Sequence, residues 1–223
     1  MDQDVITVHL KVPCYLLRNR NGFMMIDTGD ASDSATLEKE LDHAGVTREN
    51  LKLVILTHGD FDHAGNAAFL QKKFGARIAM HAADLGMVER GDQNRNRKAR
   101  SDRISFFGRI ITFMSSHLAR SVQFNTFKPD MFVEDGQSLS EYGFDVKVLH
   151  LPGHSKGSIG ILTAEDNLFF GDLLMNMVRP DLHFLIDDHA DFTASIHQLR
   201  TLTINTVYPG HGKPFRWDSA SKF

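Results

Sequence analysis

The chain has 223 residues, a single cysteine and a formal net charge of −3 at pH 7. Because one cysteine forms no internal disulfide, this composition excludes a small disulfide-scaffolded secreted domain. The slightly negative charge gives no overall basic field that would attract nucleic acid. Twelve histidines stand against that one cysteine. Any metal site must therefore be built from imidazole and carboxylate ligands.

The N-terminal residues 1–4 are acidic and lack the basic and apolar regions of a signal peptide. No apolar run approaches the roughly 18 residues that span a bilayer. We therefore expect a cytoplasmic protein that has no membrane partner.

In the first part of the chain, short segments rich in apolar and β-branched residues predict strands at 5–10, 14–17, 22–26, 51–56 and 77–81. Amphipathic segments that end at a glycine predict helices at 34–44 and 64–74. This alternation of strands and helices is typical of an α/β fold.

The segment 86–130 differs from what precedes it. It carries nine lysines or arginines, four acidic residues and five phenylalanines. Its polar stretch at 91–100 predicts a loop, and 104–118 predicts an amphipathic helix. We interpret the segment as a basic helical insertion over one face, because 45 residues bury too little apolar surface to form a separate domain.

The strand pattern resumes after this insertion, at 144–151, 159–163, 168–170 and 207–208. The second and third of these segments are close enough to pair as a hairpin. A helix is predicted at 190–202, where apolar residues recur on one side.

Polar side chains of the metal-binding kind follow four of the predicted strands. They are His58, Asp60, Asp62, His63, His154, Asp172 and His211. Ligand sites of α/β folds gather at strand ends, so these side chains are expected to converge. Seven ligands are too many for one tetrahedral ion, but they suit two ions about 3.5–4 Å apart that share a bridging carboxylate.

These residues lie in motifs that resemble, in order, those of the metallo-β-lactamase superfamily. The motifs are His58-Gly59-Asp60-Phe61-Asp62-His63, Pro152-Gly153-His154, Gly171-Asp172 and Pro209-Gly210-His211, preceded by the turn Ile26-Asp27-Thr28-Gly29. The resemblance spans 26–211 and implies an α/β fold of αββα type, with two mixed sheets flanked by helices. It also implies one domain over 1–223 that carries the insertion at about 86–130.

The resemblance also implies roles for individual residues. His58, Asp60 and His154 would hold a first metal ion, Asp62, His63 and His211 a second, and Asp172 would bridge them. Asp62 would in addition orient the attacking hydroxide or take its proton, which makes it the candidate catalytic residue. Asp27 would support the ligand loops. His183 and Asn176 follow the Asp172 loop and are candidates for contact with substrate.

The chain departs from the usual His-x-His-x-Asp-His motif of the family's hydrolases, because Asp60 stands at its second position. A carboxylate there makes the first site harder and shifts its preference from zinc towards iron or manganese. The family's flavodiiron branch likewise has a carboxylate at this position. Two divalent ions are therefore expected, and zinc, iron and manganese all stay open.

Three functions follow from this site. The first is a metal-dependent hydrolase in which hydroxide held by two metal ions attacks a small ester, thioester, lactone or phosphoester. The second is a di-iron oxidoreductase or oxygen-binding protein with a separate electron donor, and the third is a non-enzymatic metal-binding or sensing protein. Such a site needs no serine or cysteine nucleophile, because hydroxide held by the metal ions is the attacking group. A small molecule is the expected partner, and nucleic acid is disfavoured.

Overall fold

Two mixed β-sheets form the centre of the molecule. The computed structural model describes residues 3–95, 97, 103–104 and 124–220. Its strands, in chain order, are β1 (Asp4–Val8), β2 (Cys14–Asn19), β3 (Gly22–Ile26), β4 (Leu51–Ile55), β5 (Ile78–Met80), β6 (Arg103–Ile104), β7 (Met131–Phe132), β8 (Val146–His150), β9 (Ile159–Thr163), β10 (Asn167–Phe170), β11 (Leu174–Met175), β12 (Asp181–Leu182), β13 (Leu185–Ile186), β14 (Thr206–Tyr208) and β15 (Phe215–Arg216). The described α-helices are α1 (Ser34–Ala44), α2 (Phe61–Ala64), α3 (Ala67–Phe74), α4 (Leu85–Arg90) and α5 (His189–Arg200).

The first sheet has the strand order β1-β2-β3-β4-β5-β7, and the second has the order β15-β14-β10-β9-β8. In the first sheet, β1, β2 and β3 pair antiparallel, whereas β3, β4, β5 and β7 run parallel. The second sheet is antiparallel except at β10 and β14. Two short ribbons, β11 with β12 and β6 with β13, lie outside both sheets.

Strands that are buried on both faces explain the continuous apolar runs. In β2, Leu17 faces the space between the sheets, where it joins Ile161 and Phe169 of the second sheet in one cluster. The neighbouring Leu16 points to the other face and packs in a cluster with Leu41 of α1. The first sheet therefore buries one face against the second sheet and the other against helices.

The second sheet is covered in the same way on its outer face. Phe192 and Leu199 of α5 pack against Leu168 and Phe170 of β10. The order of layers is thus helix, sheet, sheet, helix, which confirms the predicted αββα architecture.

Most predicted elements end within two residues of the observed ones. The helix predicted at 64–74 is an exception, because it is two helices separated at Asn66. The Asn66 side-chain amide is buried and donates to the carbonyl oxygens of Thr28 and Asp30, both at 2.8 Å. Its backbone N–H donates to Thr28 Oγ1 at 3.1 Å. These bonds tie the start of α3 to the turn after β3, so the helix breaks there.

Only part of the predicted insertion is described. Its first residues form the end of α4, and Phe124 and Phe127 are buried in the cluster that includes α1 and α3. The helix predicted at 104–118 lies outside the described residues apart from its first position. Among the helices that the structure does describe, none has the length and apolar character to cross a bilayer.

The ring of Phe169 is fully buried between the sheets. It stacks on Tyr208 at a centroid distance of 4.4 Å and meets Tyr15 edge-on at 5.4 Å. Replacing Phe169 with Ala leaves a cavity, so we expect the free energy of unfolding to fall by about 3–5 kcal/mol. Urea unfolding measures this change. The matched control is Val178→Ala at a position 95% exposed, where a change within about 0.5 kcal/mol is expected. Equal effects of the two substitutions would contradict the assigned core.

Candidate metal centre

Four loops meet at one end of the sheet pair, each at the carboxyl end of a strand. They follow β4, β8, β10 and β14, and backbone hydrogen bonds join them. Ile159 N–H donates to the Thr57 carbonyl at 2.8 Å, and Gly210 N–H donates to the Gly171 carbonyl at 3.0 Å. The loops are thus fixed relative to one another before any side chain is considered.

Two glycines allow the loops to approach this closely. A Cβ atom on Gly171 would lie 2.6 Å from Nδ1 of His58, and one on Gly210 would lie 2.7 Å from Oδ1 of Asp172. Any larger residue at either position would displace these side chains.

The carboxylate of Asp172 lies at the centre of the cluster. Five imidazole Nε2 atoms lie within 4.0 Å of one of its oxygens: those of His183 at 3.2 Å, His63 at 3.3 Å, His211 at 3.3 Å, His154 at 3.7 Å and His58 at 4.0 Å. Asp172 therefore occupies the position that a bridging ligand needs.

The candidate ligand atoms form three overlapping groups, in each of which all atoms lie within 4.8 Å of one another. The groups are His58, Asp60, His154 and Asp172, then Asp62, His63 and His211, then Asp172, His183 and His211. All seven side chains that the sequence singles out belong to them. This buried His/Asp cluster is compatible with a dinuclear metal site.

The hydrogen-bonding state of the cluster fits a metal. Among the described residues, several buried polar atoms that point into it have no hydrogen-bond partner, namely Nε2 of His58, His63 and His183 and Oδ1 of Asp172. A buried polar atom without a partner costs about 1–3 kcal/mol. A divalent cation binds neutral imidazole nitrogen and carboxylate oxygen, and so would satisfy these atoms together.

The Nδ1 atoms of three of these histidines make hydrogen bonds on the side away from the cluster. Nδ1 of His63 donates to Asp27 Oδ2 at 2.9 Å, and Nδ1 of His154 donates to the Leu185 carbonyl at 3.0 Å. Nδ1 of His58 donates to Thr57 Oγ1 at 3.0 Å, and that hydroxyl donates to Asp27. Protonation at Nδ1 leaves each Nε2 with its lone pair facing the cluster, as metal ligation requires.

Charge inside the cluster is balanced by neighbours. Burial lowers the pKa of His183 to about 3 against the opposing field of Asp172, so this imidazole is neutral. Burial raises the pKa of the Asp172 carboxyl, but the charges of His211 and His63 outweigh it and hold the pKa well below its usual range. Asp172 is therefore ionised, as a carboxylate that bridged two metal ions would have to be.

Of the two candidates for substrate contact, His183 faces the cluster, through the 3.2 Å approach of its Nε2 to Asp172 Oδ2. It has the position of a further ligand or a support for Asp172. The Asn176 amide instead donates to the Lys213 carbonyl at 2.8 Å, and its backbone N–H donates to the His211 carbonyl at 2.9 Å. Asn176 thus fixes the loop that carries His211.

Asp84 is a site residue that the sequence reasoning missed. Its carboxylate is buried, and it accepts from Gly59 N–H at 3.1 Å, Ser155 Oγ at 2.6 Å and Gly157 N–H at 2.8 Å. It thereby joins the loop of His58 to the loop of His154. Asp84 follows β5 at the same edge of the sheet, so the rule that strand ends supply site residues could have identified it.

Arg97 is a second residue of the site that the sequence did not predict. Its Nη2 donates to Asp60 Oδ1 at 2.6 Å and Oδ2 at 2.7 Å, and lies 3.2 Å from Nε2 of His154. Burial on its own raises the pKa of the Asp60 carboxyl, but the charge of the Arg97 guanidinium outweighs it, and the pKa lies well below its usual range. The sequence shows Arg97 as one of nine basic residues in the segment 86–130, with nothing to distinguish it.

These features define a class of protein, an αββα sandwich with a buried His/Asp metal-binding cluster at its strand ends. The chain belongs to the metallo-beta-lactamase superfamily, whose sequence model matches residues 9–211. It is 30% identical over 169 residues to the hydroxyacylglutathione hydrolase GloC of Haemophilus influenzae, which covers 73% of this chain and 69% of that protein. It is 25% identical over 216 residues to the acyl-coenzyme A thioesterase MBLAC2 of Bos taurus, with coverage of 90% and 73%. The fold is similar to that of TTHA1623 in a di-iron-bound form, with a TM-score of 0.72, 24% identity and coverage of 98% and 97%.

Replacing Asp27 with Asn tests how the ligands are held. The substitution keeps the shape but removes the charge that fixes Nδ1 of His63, so we expect metal affinity to fall about 10–100-fold. Competition with a chelator of known affinity measures the change. Asp42→Asn, on the exposed side of α1, is the matched control and should bind metal as the wild type does. Unchanged affinity of the Asp27 variant would show that His63 needs no such support.

Proposed function

We propose that this chain is a metal-dependent hydrolase that cleaves small thioesters. The observation that carries the proposal is the convergence of unpartnered imidazole Nε2 atoms on the carboxylate of Asp172. Two relatives support the choice of bond, because one is named a hydroxyacylglutathione hydrolase and the other an acyl-coenzyme A thioesterase. Both names describe the hydrolysis of a thioester.

Divalent metal ions held by these His and Asp side chains would polarise the scissile carbonyl and lower the pKa of water. The side chains of the cluster differ in their exposure to solvent. His58 and His154 are almost fully buried, whereas the side chains of His211 and Asp62 are 24% and 21% exposed. The site therefore opens to solvent beside His211 and Asp62, and substrate approaches from that side.

The position and environment of Asp62 support a role in accepting the proton of the attacking water. It lies in the first turn of α2, and its Oδ2 is 3.6 Å from Nε2 of His211. Burial, together with the charges of Asp172 and Asp60, raises the pKa of its carboxyl. A raised pKa makes a carboxylate a better general base near neutral pH. Its partial exposure gives the proton a route to solvent.

Replacing Asp172 with Ala removes the carboxylate shared by five imidazoles. We expect bound metal and hydrolase activity to be lost together, with kcat/KM at least 100-fold lower. Metal content by plasma mass spectrometry and thioester turnover are measured on the same preparation. Asp145→Ala, at an exposed position, should change neither. Full activity of the Asp172 variant with two metal ions bound would overturn the site.

The substrate class is tested with matched substrates that differ in the scissile bond. The panel contains an acyl-glutathione, an acyl-coenzyme A, the corresponding oxygen ester, a lactone and a phosphodiester. We expect kcat/KM for at least one thioester to exceed that for the oxygen ester by 10-fold or more. A higher value for the lactone or the phosphodiester would contradict a thioesterase while leaving the metal-dependent hydrolase in place.

A di-iron oxidoreductase with a separate electron donor is a second candidate, favoured by the carboxylate at Asp60, which suits a harder metal such as iron. The pairing of Asp60 with Arg97 weakens this argument, because the guanidinium already neutralises that carboxylate. Two iron ions in the purified protein, an absorption band in the visible range and no thioester turnover would favour the oxidoreductase.

A further inference from the structure

Arg97 lies inside the first group of candidate metal ligands. Its Nη2 contacts both oxygens of Asp60, at 2.6 and 2.7 Å, and Nε2 of His154 at 3.2 Å. The guanidinium is nearly enclosed, and its Nε donates to the Gln93 carbonyl at 3.0 Å. A positively charged side chain thus already sits on two of the ligands assigned to the first metal ion.

The lone pairs of these ligands decide whether Arg97 and an ion can be held together. Nδ1 of His154 donates to the Leu185 carbonyl, which leaves Nε2 with one lone pair. That lone pair accepts the Arg97 N–H. A nitrogen with one lone pair serves a guanidinium or a metal ion but not both, and the two cations would also repel each other.

The second group has no such competitor. Nε2 of His58 in the first group lacks a hydrogen-bond partner in the described part of the chain, as do Nε2 of His63, Nε2 of His183 and Oδ1 of Asp172. What distinguishes the two groups is therefore the contact with Arg97. The hydrogen bonds of Arg97 described above go to Gln93, Asp60 and His154. The two halves of the cluster are therefore unequal.

The charges of the ligand groups also favour one tightly bound divalent ion. Asp60, Asp62 and Asp172 contribute three negative charges to the ligand groups. Arg97 neutralises one of them by pairing with Asp60 at 2.6 Å. Two negative charges remain, which one divalent ion balances.

We propose that Arg97 is a protein-borne cation in the first metal position, so that the chain holds one divalent ion tightly and admits a second only when Arg97 is displaced. The tight ion binds Asp62, His63, Asp172 and His211, with His183 beside them. Displacement is feasible, because Nη1 of Arg97 is buried without a partner among the described residues and would regain hydrogen bonds in water. This inference rests on the same metal centre as the proposed hydrolase.

The test counts manganese ions rather than turnover. Chelator-treated protein is loaded with Mn²⁺, desalted and examined by plasma mass spectrometry and electron paramagnetic resonance. We expect the wild type to retain one ion per chain with the six-line spectrum of an isolated Mn²⁺. Arg97→Met keeps much of the side-chain volume but not the charge, and should retain two ions whose spectrum is broadened by spin coupling. Arg95→Met, at an exposed position two residues away, should behave as the wild type does.

Two coupled ions in the wild type would overturn the proposal, as would one ion or none in a folded Arg97→Met. Should that variant fail to fold, calorimetric titration of the wild type decides. Two binding constants at least 100-fold apart support the proposal, whereas equal constants or no binding overturn it. These measurements use no substrate, so failure to hydrolyse thioesters would overturn the proposed function and leave the ion count intact.

Discussion

The gathering of five imidazoles around one buried carboxylate constrains the rest of the structure. Asp172 and its neighbours place polar atoms where water is nearly excluded, and several of these atoms lack a partner among the described residues. An arrangement of this kind persists only where the surrounding fold holds it and a ligand compensates it. The packed sheets provide the first condition, because the loops that carry His58, His154, Asp172 and His211 follow strands of the two sheets. The chemistry of the donors indicates a metal for the second.

The support for the cluster comes from a second layer of side chains that do not face its centre. Asp27 fixes His63 directly and His58 through Thr57, while Asp84 joins the loops of His58 and His154. Both carboxylates are buried and accept hydrogen bonds from backbone N–H groups, hydroxyls or imidazole. Ligand position is therefore set by a network that reaches across the first sheet from β3 to β5 and not by the ligand loops alone.

The sequence predicted the parts of this site that depend on regular structure. Apolar strands followed by His or Asp identified the candidate ligands, because strand ends meet at one edge whatever the details of the loops. Arg97 could not be found in this way, since it comes from a polar segment with no periodicity and reaches the site by a tertiary contact. The break between helices α2 and α3 at Asn66 could not be predicted for a related reason. Its buried amide is bonded to a distant turn, and helix periodicity carries no record of such bonds.

Asp60 and Arg97 are best understood as one feature. A carboxylate buried beside Asp172 without a cation would be an uncompensated charge, and a guanidinium buried without Asp60 would be another. Each residue therefore makes the other tolerable in a site almost closed to water. A histidine at position 60 would carry no charge and would need no such partner. The departure at Asp60 thus changes more than the hardness of one ligand, because it gives the centre a place for a positive charge that belongs to the protein.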